Sequence, residues 1–110
     1  MDRLNQAMLL DFYGEMLTEK QRECCDLYYN EDLSLSEIAE QRGISRQGVW
    51  DNIRHAEAAL KEFENKTGIV RRFMQTRESL EELKSMAEEL EPSDRVSAII
   101  ERIDSLLAGI

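Results

Sequence analysis

The segment from Leu33 to Glu57 has the spacing of two helices joined by a tight turn, and it constrains the fold more than any other part of the chain. Ser34 and Glu37 are placed as the two partners of a capping box at the start of a helix. Gly43 is the expected turn residue because glycine tolerates a positive φ. Ser45 is the expected cap of the next helix. Together these signals predict a helix-turn-helix.

Apolar residues at helical spacing predict how these two helices pack. Ala39 is small enough for a close crossing, and Ile44 is expected to point inward after the turn. The second helix of the motif, the fourth in the chain, then carries a stripe with heptad-like spacing, which requires a long helix over residues 46–66. The members of this stripe are Val49, Ile53, Ala56, Leu60 and Phe63.

Two helices are predicted before the motif. The first extends from about Leu4 to Phe12, with Asp2 or Arg3 near its start. The second begins at Thr18, which forms a capping box with Gln21. The residues expected to face the core are Leu4, Ala7, Met8, Leu10 and Phe12 on the first helix and Cys24, Cys25, Leu27 and Tyr28 on the second.

Two helices are also predicted after the motif. Thr67 and Gly68 suit a helix C-terminal cap, and a fifth helix from about Val70 to Leu90 would pair with the fourth as an antiparallel hairpin. Pro92 separates it from a final amphipathic helix, because proline does not suit a helix interior. The expected apolar stripes are Phe73, Leu80, Leu83, Ala87 and Leu90, then Val96, Ile99, Ile100, Ile103, Leu106 and Leu107.

The expected fold class is therefore all-α, a helix-turn-helix with a long helical hairpin and a C-terminal amphipathic helix. We expect residues 1–67 to form the helix-turn-helix portion. Residues 68–110 would be a helical extension that packs on the fourth helix, so that the chain makes a single compact unit. The final stripe has two interpretations, a core face or the interface of a homodimer, since small helix-turn-helix proteins commonly pair.

Composition points to the cytoplasm. No apolar run approaches the roughly 18 residues that a membrane span needs. Asp2 spoils the basic start of a secretory signal, and no small-residue cleavage site follows it. Cys24 and Cys25 are adjacent, and neighbours on a helix point about 100° apart, so a disulfide between them is geometrically poor. We interpret them as reduced thiols that pack as small apolar residues, with a redox-sensing pair as the alternative.

The sequence offers little for catalysis. His55 is the only histidine, and no cysteine lies at ligand spacing from it, so no metal site or cofactor is expected. The many carboxylates are predicted on solvated helix faces, where nothing shifts a pKa toward acid–base work. We therefore expect a protein that is not an enzyme and has no small-molecule substrate.

The net charge of −9 opposes binding to phosphates, but its distribution is uneven. Residues 66–77 contain no acid and four bases, Lys66, Arg71, Arg72 and Arg77. One interpretation is local: complementation of the dipole at the end of the fourth helix and ion pairs with glutamates one turn away. The other interpretation is contact with RNA or with an acidic protein surface.

Three stretches, Leu17–Glu23, Leu35–Glu40 and Gly43–Val49, resemble region 4 of bacterial sigma factors, the promoter-reading domain. This likeness covers roughly residues 17–60. The opening Met-Asp-Arg-Leu, the stretch Asp51–Arg54 and the acidic helical tail resemble more narrowly the YlxM (UPF0122) family of small bacterial helix-turn-helix proteins, over nearly the whole chain. The genes of that family lie beside the gene for the signal recognition particle GTPase. The resemblance implies a regulatory or accessory role in the signal recognition particle pathway, with the particle's protein or RNA as partner.

The start of the fourth helix is the expected binding surface. Arg46, Gln47 and Arg54 suit a DNA groove, but Asp51 would repel phosphates and Trp50 is large for a crowded groove. Trp50 is expected to be partly buried against the first helix or the hairpin, or to serve as a hot spot for a protein or a stacking platform for unpaired RNA bases. The candidate residues are Arg46, Gln47, Trp50, Asp51, Arg54, His55, Lys66, Arg71, Arg72 and Arg77.

Three functions are compatible with these features. The first is an adaptor of the signal recognition particle pathway, which the family resemblance favours. The second is a transcription regulator that binds duplex DNA, which the motif favours and the charge opposes. The third is a structural helical dimer with a relict motif.

Overall fold

The computed structural model describes residues 3–110, which form six α-helices and no strand within that range. Asp2, one of the two residues predicted near the first helix start, lies outside the described residues. A 3₁₀ turn at Gly14–Met16 follows the first helix, and a π-helical turn at Asp26–Asn30 follows the second. The helices are α1 (Arg3–Tyr13), α2 (Glu19–Cys25), α3 (Leu35–Arg42), α4 (Arg46–Thr67), α5 (Ile69–Glu88) and α6 (Asp94–Ala108).

Both predicted capping boxes are confirmed. The Thr18 hydroxyl accepts from Gln21 N–H at 3.2 Å, and the Gln21 side chain accepts from Thr18 N–H at 3.3 Å. Ser34 and Glu37 exchange the same two hydrogen bonds at 3.1 and 2.9 Å. The hydrogen bond from Ser34 N–H holds the pKa of the Glu37 carboxyl below its ordinary value. These bonds begin α2 and α3 where the sequence predicted.

The turn of the motif is also confirmed. Gly43 has a φ of 68°, in the left-handed region that glycine adopts without strain. The N–H groups of Gly43 and Ile44 both donate to Ala39 O, at 3.0 and 3.2 Å, which closes the end of α3. Ser45 then begins α4 by accepting from Gly48 N–H at 2.9 Å.

The core of the first 70 residues is built around α4. The predicted stripe is confirmed, since four of its members are fully buried and Phe63 packs against them half-buried. Ile38 of α3 and Cys24, Cys25 and Leu27 of the second helix and its π-helical turn complete one side of the core. On α4 the buried residues are Val49, Ile53, Ala56 and Leu60.

The buried face of α1 differs in part from the prediction, since Leu10 is buried and Met8 packs against the core as expected. Leu4 is 76% exposed and Phe12 is 40% exposed, although their spacing predicted a core-facing stripe. The buried residues of α1 are Gln6, Leu9, Leu10 and Tyr13. Apolar side chains lie on two faces of this helix, so periodicity alone cannot choose between them.

The contacts of Tyr13 determine which face of α1 is buried. Its ring lies 5.9 Å from the Phe63 ring, and its hydroxyl donates to Glu64 Oε1 at 2.6 Å. Glu64 Oε1 also accepts from Val70 N–H at 3.0 Å, across the turn at Gly68, whose φ is 64°. These contacts with the distant end of α4 fix the orientation of α1, and the predicted cap at Gly68 is confirmed.

By its internal contacts the chain divides into two units, Met1–Val70 and Arg71–Ile110. In the second unit, Ala87 and Ile103 are the buried apolar residues, and Lys84 Nζ pairs with Asp104 Oδ1 at 2.8 Å. The predicted stripes of α5 and α6 are therefore wrong in part, since their exposed members are Leu83, Leu90, Ile99 and Leu106. Two helices enclose only a narrow seam, which is too small for both stripes. The packing of the extension on α4 stays a prediction.

Within residues 3–110, no helix is long and apolar enough to cross a membrane.

Two leucines test this division between core and surface. Leu60→Ala should lower the free energy of unfolding by about 2–5 kcal/mol, because Leu60 is fully buried on α4. Leu4→Ala, the same substitution at an exposed position, should change it by no more than about 0.5 kcal/mol. Urea denaturation of both variants measures the difference, and equal losses would contradict the buried face described for α1.

Candidate functional site

Six of the predicted site residues lie on the first three turns of α4. Val49 and Ile53 anchor the inner face of the helix, which turns the intervening positions outward. Trp50 is 36% exposed, and its groove neighbours are Tyr28 and Leu35, not the first helix or the hairpin against which it was expected to be buried. The others are exposed as well: Arg46, Gln47, Asp51, Arg54 and His55.

The charged and amide groups of this face are not equally available. Gln47 Nε2 donates to Asp51 Oδ1 at 3.0 Å, so part of the donor capacity of this amide is already used. Within residues 3–110, Arg46 and Arg54 make neither an ion pair nor a side-chain hydrogen bond. The two guanidinium groups are therefore the groups on this face that can pair with an incoming anion.

A surface groove lies beside the start of α4. It is wide open to solvent, has a volume of about 570 Å³ and is lined by Tyr28, Leu35, Arg46, Gln47 and Trp50. Leu35 is the first residue of α3 and Arg46 is the first residue of α4, so the starts of both motif helices border the groove. Sequence reasoning placed Tyr28 in the core and did not single out Leu35. No local pattern connects these two residues with Trp50, because the three come from different segments of the chain.

Tyr28 is held in place by Arg3. The Arg3 guanidinium lies 4.8 Å from the centre of the Tyr28 ring and 5.4 Å from that of Tyr29. It also donates to the Tyr28 carbonyl oxygen and pairs with Asp32 Oδ1 at 2.9 Å. Asp32 has a φ of 59°, an uncommon conformation for a residue other than glycine. Arg3 thus ties the start of α1 to the aromatic wall of the groove.

A second contact fixes the same turn to α4. The Tyr29 hydroxyl donates to Glu57 Oε2 at 2.7 Å, and the two tyrosine rings meet edge to face at 5.0 Å. Burial, followed by this hydrogen bond, raises the pKa of Tyr29 above its ordinary value. The π-helical turn is therefore held between Arg3 and Glu57, and Tyr28 has little freedom to leave the groove.

The four basic residues at 66–77 are divided between the two units. Lys66 belongs to the first unit and pairs with Glu62 at 3.4 Å, in the last turn of α4. Arg77 belongs to the second unit and pairs with Glu81 at 3.4 Å. Arg71 and Arg72 are exposed near the start of α5, whose first turn contains no acidic residue. The local ion-pair interpretation therefore applies to Lys66 and Arg77.

The two cysteines are free and buried. Burial raises the pKa of both thiols, that of Cys25 to about 12, and the nearby Glu57 carboxylate adds to the effect on Cys25. A protonated, buried thiol is a packing group and a poor nucleophile. The expectation that Cys24 and Cys25 pack in the core is thus confirmed, while their reduced state stays a prediction. Among the side chains of residues 3–110, no group of three His, Cys, Asp or Glu is arranged to hold a metal ion.

These features define a helix-turn-helix protein: a glycine turn between α3 and α4, a buried inner face and a polar, aromatic outer face. The sequence profile of a family described as "Putative helix-turn-helix protein, YlxM / p13 like" matches residues 1–102. The chain belongs to this family, UPF0122.

Curated relatives match over almost their full length. The UPF0122 protein BH2485 of Halalkalibacterium halodurans is 43% identical over 103 residues, 94% of each chain. The UPF0122 protein YlxM of Bacillus subtilis is 40% identical over 98 residues, 89% of each chain. A UPF0122 protein of Acetivibrio thermocellus is 43% identical and covers 97% of this chain and 98% of its own.

The raised thiol pKa values predict a measurable lack of reactivity. At pH 8 the folded protein should react with iodoacetamide on the order of tenfold more slowly than free glutathione, because burial keeps both thiols protonated. In concentrated urea both cysteines should react at the rate of the free thiol. Mass spectrometry of quenched samples gives both rates. Rapid modification of the folded chain would contradict a packing role.

Proposed function

We propose that this protein is a non-enzymatic regulatory or accessory factor of the signal recognition particle pathway, acting in the cytoplasm. It would engage the particle's RNA or protein through the outer face of α4 and the adjoining groove. The pathway is inferred from the resemblance to the YlxM family. The observation that carries the binding surface is the half-exposed Trp50 beside the unpaired Arg46, in a groove bordered by the starts of both motif helices.

Charge argues against duplex DNA as the main partner. Residues 34–61 hold four acids and four bases, so the motif has no net charge to attract a duplex. Asp51 lies where attraction to phosphates is most needed, and its hydrogen bond with Gln47 occupies the amide that would otherwise read adenine. A partner of mixed character, such as a protein or a folded RNA, makes better use of a rigid aromatic side chain with charges of both signs around it.

The second candidate is a transcription regulator that reads duplex DNA. The observation that favours it is the exposed pair of unpaired guanidinium groups, Arg46 and Arg54, on the helix that enters the major groove in other helix-turn-helix proteins. Arg71 and Arg72 would then be further phosphate contacts. Catalysis, a cofactor and a small-molecule substrate have no part in either role.

Self-association is part of the same proposal. Residues 71–110 bury few apolar side chains and leave Met86, Leu90, Ile99 and Leu106 about half exposed. Two-helix units of this size usually need a partner to cover such surface. A second copy of the chain meets this need with an identical apolar face, as in two-fold symmetric dimers.

Two substitutions on the same turn of α4 separate the two functions. Trp50→Ala should weaken binding to purified signal recognition particle by about tenfold or more, as loss of a central aromatic anchor does. Asp51→Arg should strengthen binding to random duplex DNA, because it replaces a repelled charge with an attracted one. Both are measured by fluorescence anisotropy at about 0.15 M salt, where the Debye length is roughly 8 Å.

Lys61→Gln, an exposed change farther along α4, is the matched control and should alter neither interaction. Nanomolar binding of the wild-type protein to one duplex sequence, with no binding to the particle, would identify a transcription regulator. Binding to neither partner would leave the structural dimer as the remaining function.

The dimer is tested with the full chain. Sedimentation equilibrium at micromolar concentration should give twice the mass of 12.8 kDa. Ile99→Asp should shift the protein toward the monomer because it places a charge in the apolar interface. Arg95→Asp, an exposed change one helical turn earlier on α6, is the control. A wild-type monomer at this concentration contradicts the dimer.

A further inference from the structure

We propose that the groove lined by Tyr28, Leu35, Arg46, Gln47 and Trp50 binds an unpaired nucleotide of an RNA. This rests on the proposed function, because it names the class of partner for the same surface. The base would lie against the aromatic side chains and its phosphate beside Arg46. Two properties of the groove carry the proposal: its aromatic lining and its single, uncompensated positive charge.

The aromatic lining suits a planar ring. Trp50 contributes a partly exposed ring from α4, and Tyr28 contributes its ring from the π-helical turn. Arg3 lies over the Tyr28 ring at 4.8 Å, and the Tyr29 ring meets it at 5.0 Å, so Tyr28 forms a fixed wall of the groove and Trp50 is the ring offered for stacking. Sequence-tolerant stacking on such rings is how proteins bind single-stranded nucleic acids.

The charge of the groove suits one anion. Among residues 3–110, Arg46 is the only charged residue that lines the groove, and it has no partner there. It is the first residue of α4, where the positive end of the helix dipole lies and where the first turn contains no acid. Arg46 and the positive end of the α4 dipole therefore attract a single phosphate. A duplex would bring many phosphates toward Asp51 and Glu37, which would repel them.

The same charge disfavours a peptide. A basic segment would be attracted to the acidic chain as a whole but repelled by Arg46 at the groove itself. An apolar segment would leave the guanidinium without an anion. An acidic aromatic peptide is the closest competitor, and it lacks the polar ring edge that Gln47 can contact.

Gln47 predicts a preference among bases. Its Nε2 already donates to Asp51, so its Oε1 is the atom best placed to accept a hydrogen bond from a ligand. Cytosine can donate that bond from its exocyclic amine and uracil from its N3–H, so Gln47 can accept from the base edge of either pyrimidine. A uracil methylated at N3 lacks this donor and should bind more weakly than unmodified uracil.

The tryptophan itself reports on binding, because Trp50 is the only one in the chain. Unstructured oligouridylate should quench its fluorescence, and the same oligonucleotide methylated at N3 of each uracil should bind severalfold more weakly. Gln47→Leu should abolish the difference. An RNA duplex of the same length should bind more weakly than either strand. Absence of quenching by any single-stranded RNA would overturn the proposal, as would quenching by an acidic aromatic peptide alone.

Variants separate stacking from charge, with fluorescently labelled RNA as the probe and circular dichroism as the check on folding. Trp50→Ala should lower affinity by about tenfold or more, while Trp50→Phe should retain most of it. Arg46→Gln should reduce the slope of log affinity against log salt by about 0.7. Lys61→Gln makes the same change of charge farther along α4 and should leave the slope unaltered. Equal slopes for Arg46→Gln and the wild type would overturn the placement of the phosphate.

The same proteins are then mixed with purified signal recognition particle. Oligonucleotide binding without binding to the particle would refute the proposed function but would support the nucleotide site in the groove. Binding to the particle without oligonucleotide binding would refute the nucleotide site and leave the proposed function standing.

Discussion

Burial of the inner face of α4 is the interaction on which the rest of the structure depends. Val49, Ile53 and Leu60 are fully enclosed, and α1, α2 and α3 all pack against this one helix. Because successive helical positions are about 100° apart, burying Val49 and Ile53 forces Arg46, Trp50 and Arg54 outward. The hydrophobic core of the motif and its candidate binding surface are thus two sides of the same helix. Any rotation of α4 that changed its buried face would also change the side chains that it exposes.

The groove depends on contacts that extend well beyond the motif. Tyr28 lines the groove while the Arg3 guanidinium lies over its ring, and Tyr29 is hydrogen-bonded to Glu57 on α4. Removal of Arg3 would leave Asp32 in its left-handed conformation without its ion pair. The first helix therefore supports the binding surface although none of its residues lines the groove.

The proposed contact with a nucleotide is compatible with the electrostatics of an acidic chain. At a net charge of −9 the protein cannot attract the dense phosphates of a duplex from a distance. One unpaired guanidinium at a helix start, beside aromatic rings, still favours a single phosphate with its base. Selectivity against duplexes would then follow from the same charges that keep the rest of the surface negative.

Local sequence alone determined the helices and their ends. Capping boxes at Thr18 and Ser34 and the glycine turn at Gly43 act over a few residues, and a single stripe sufficed to identify the buried face of α4. Only the tertiary structure decided the face of α1, where two apolar faces compete and the contact of Tyr13 with Glu64 selects one. It alone assembled the groove, because residues from three segments meet there through packing that no local periodicity encodes.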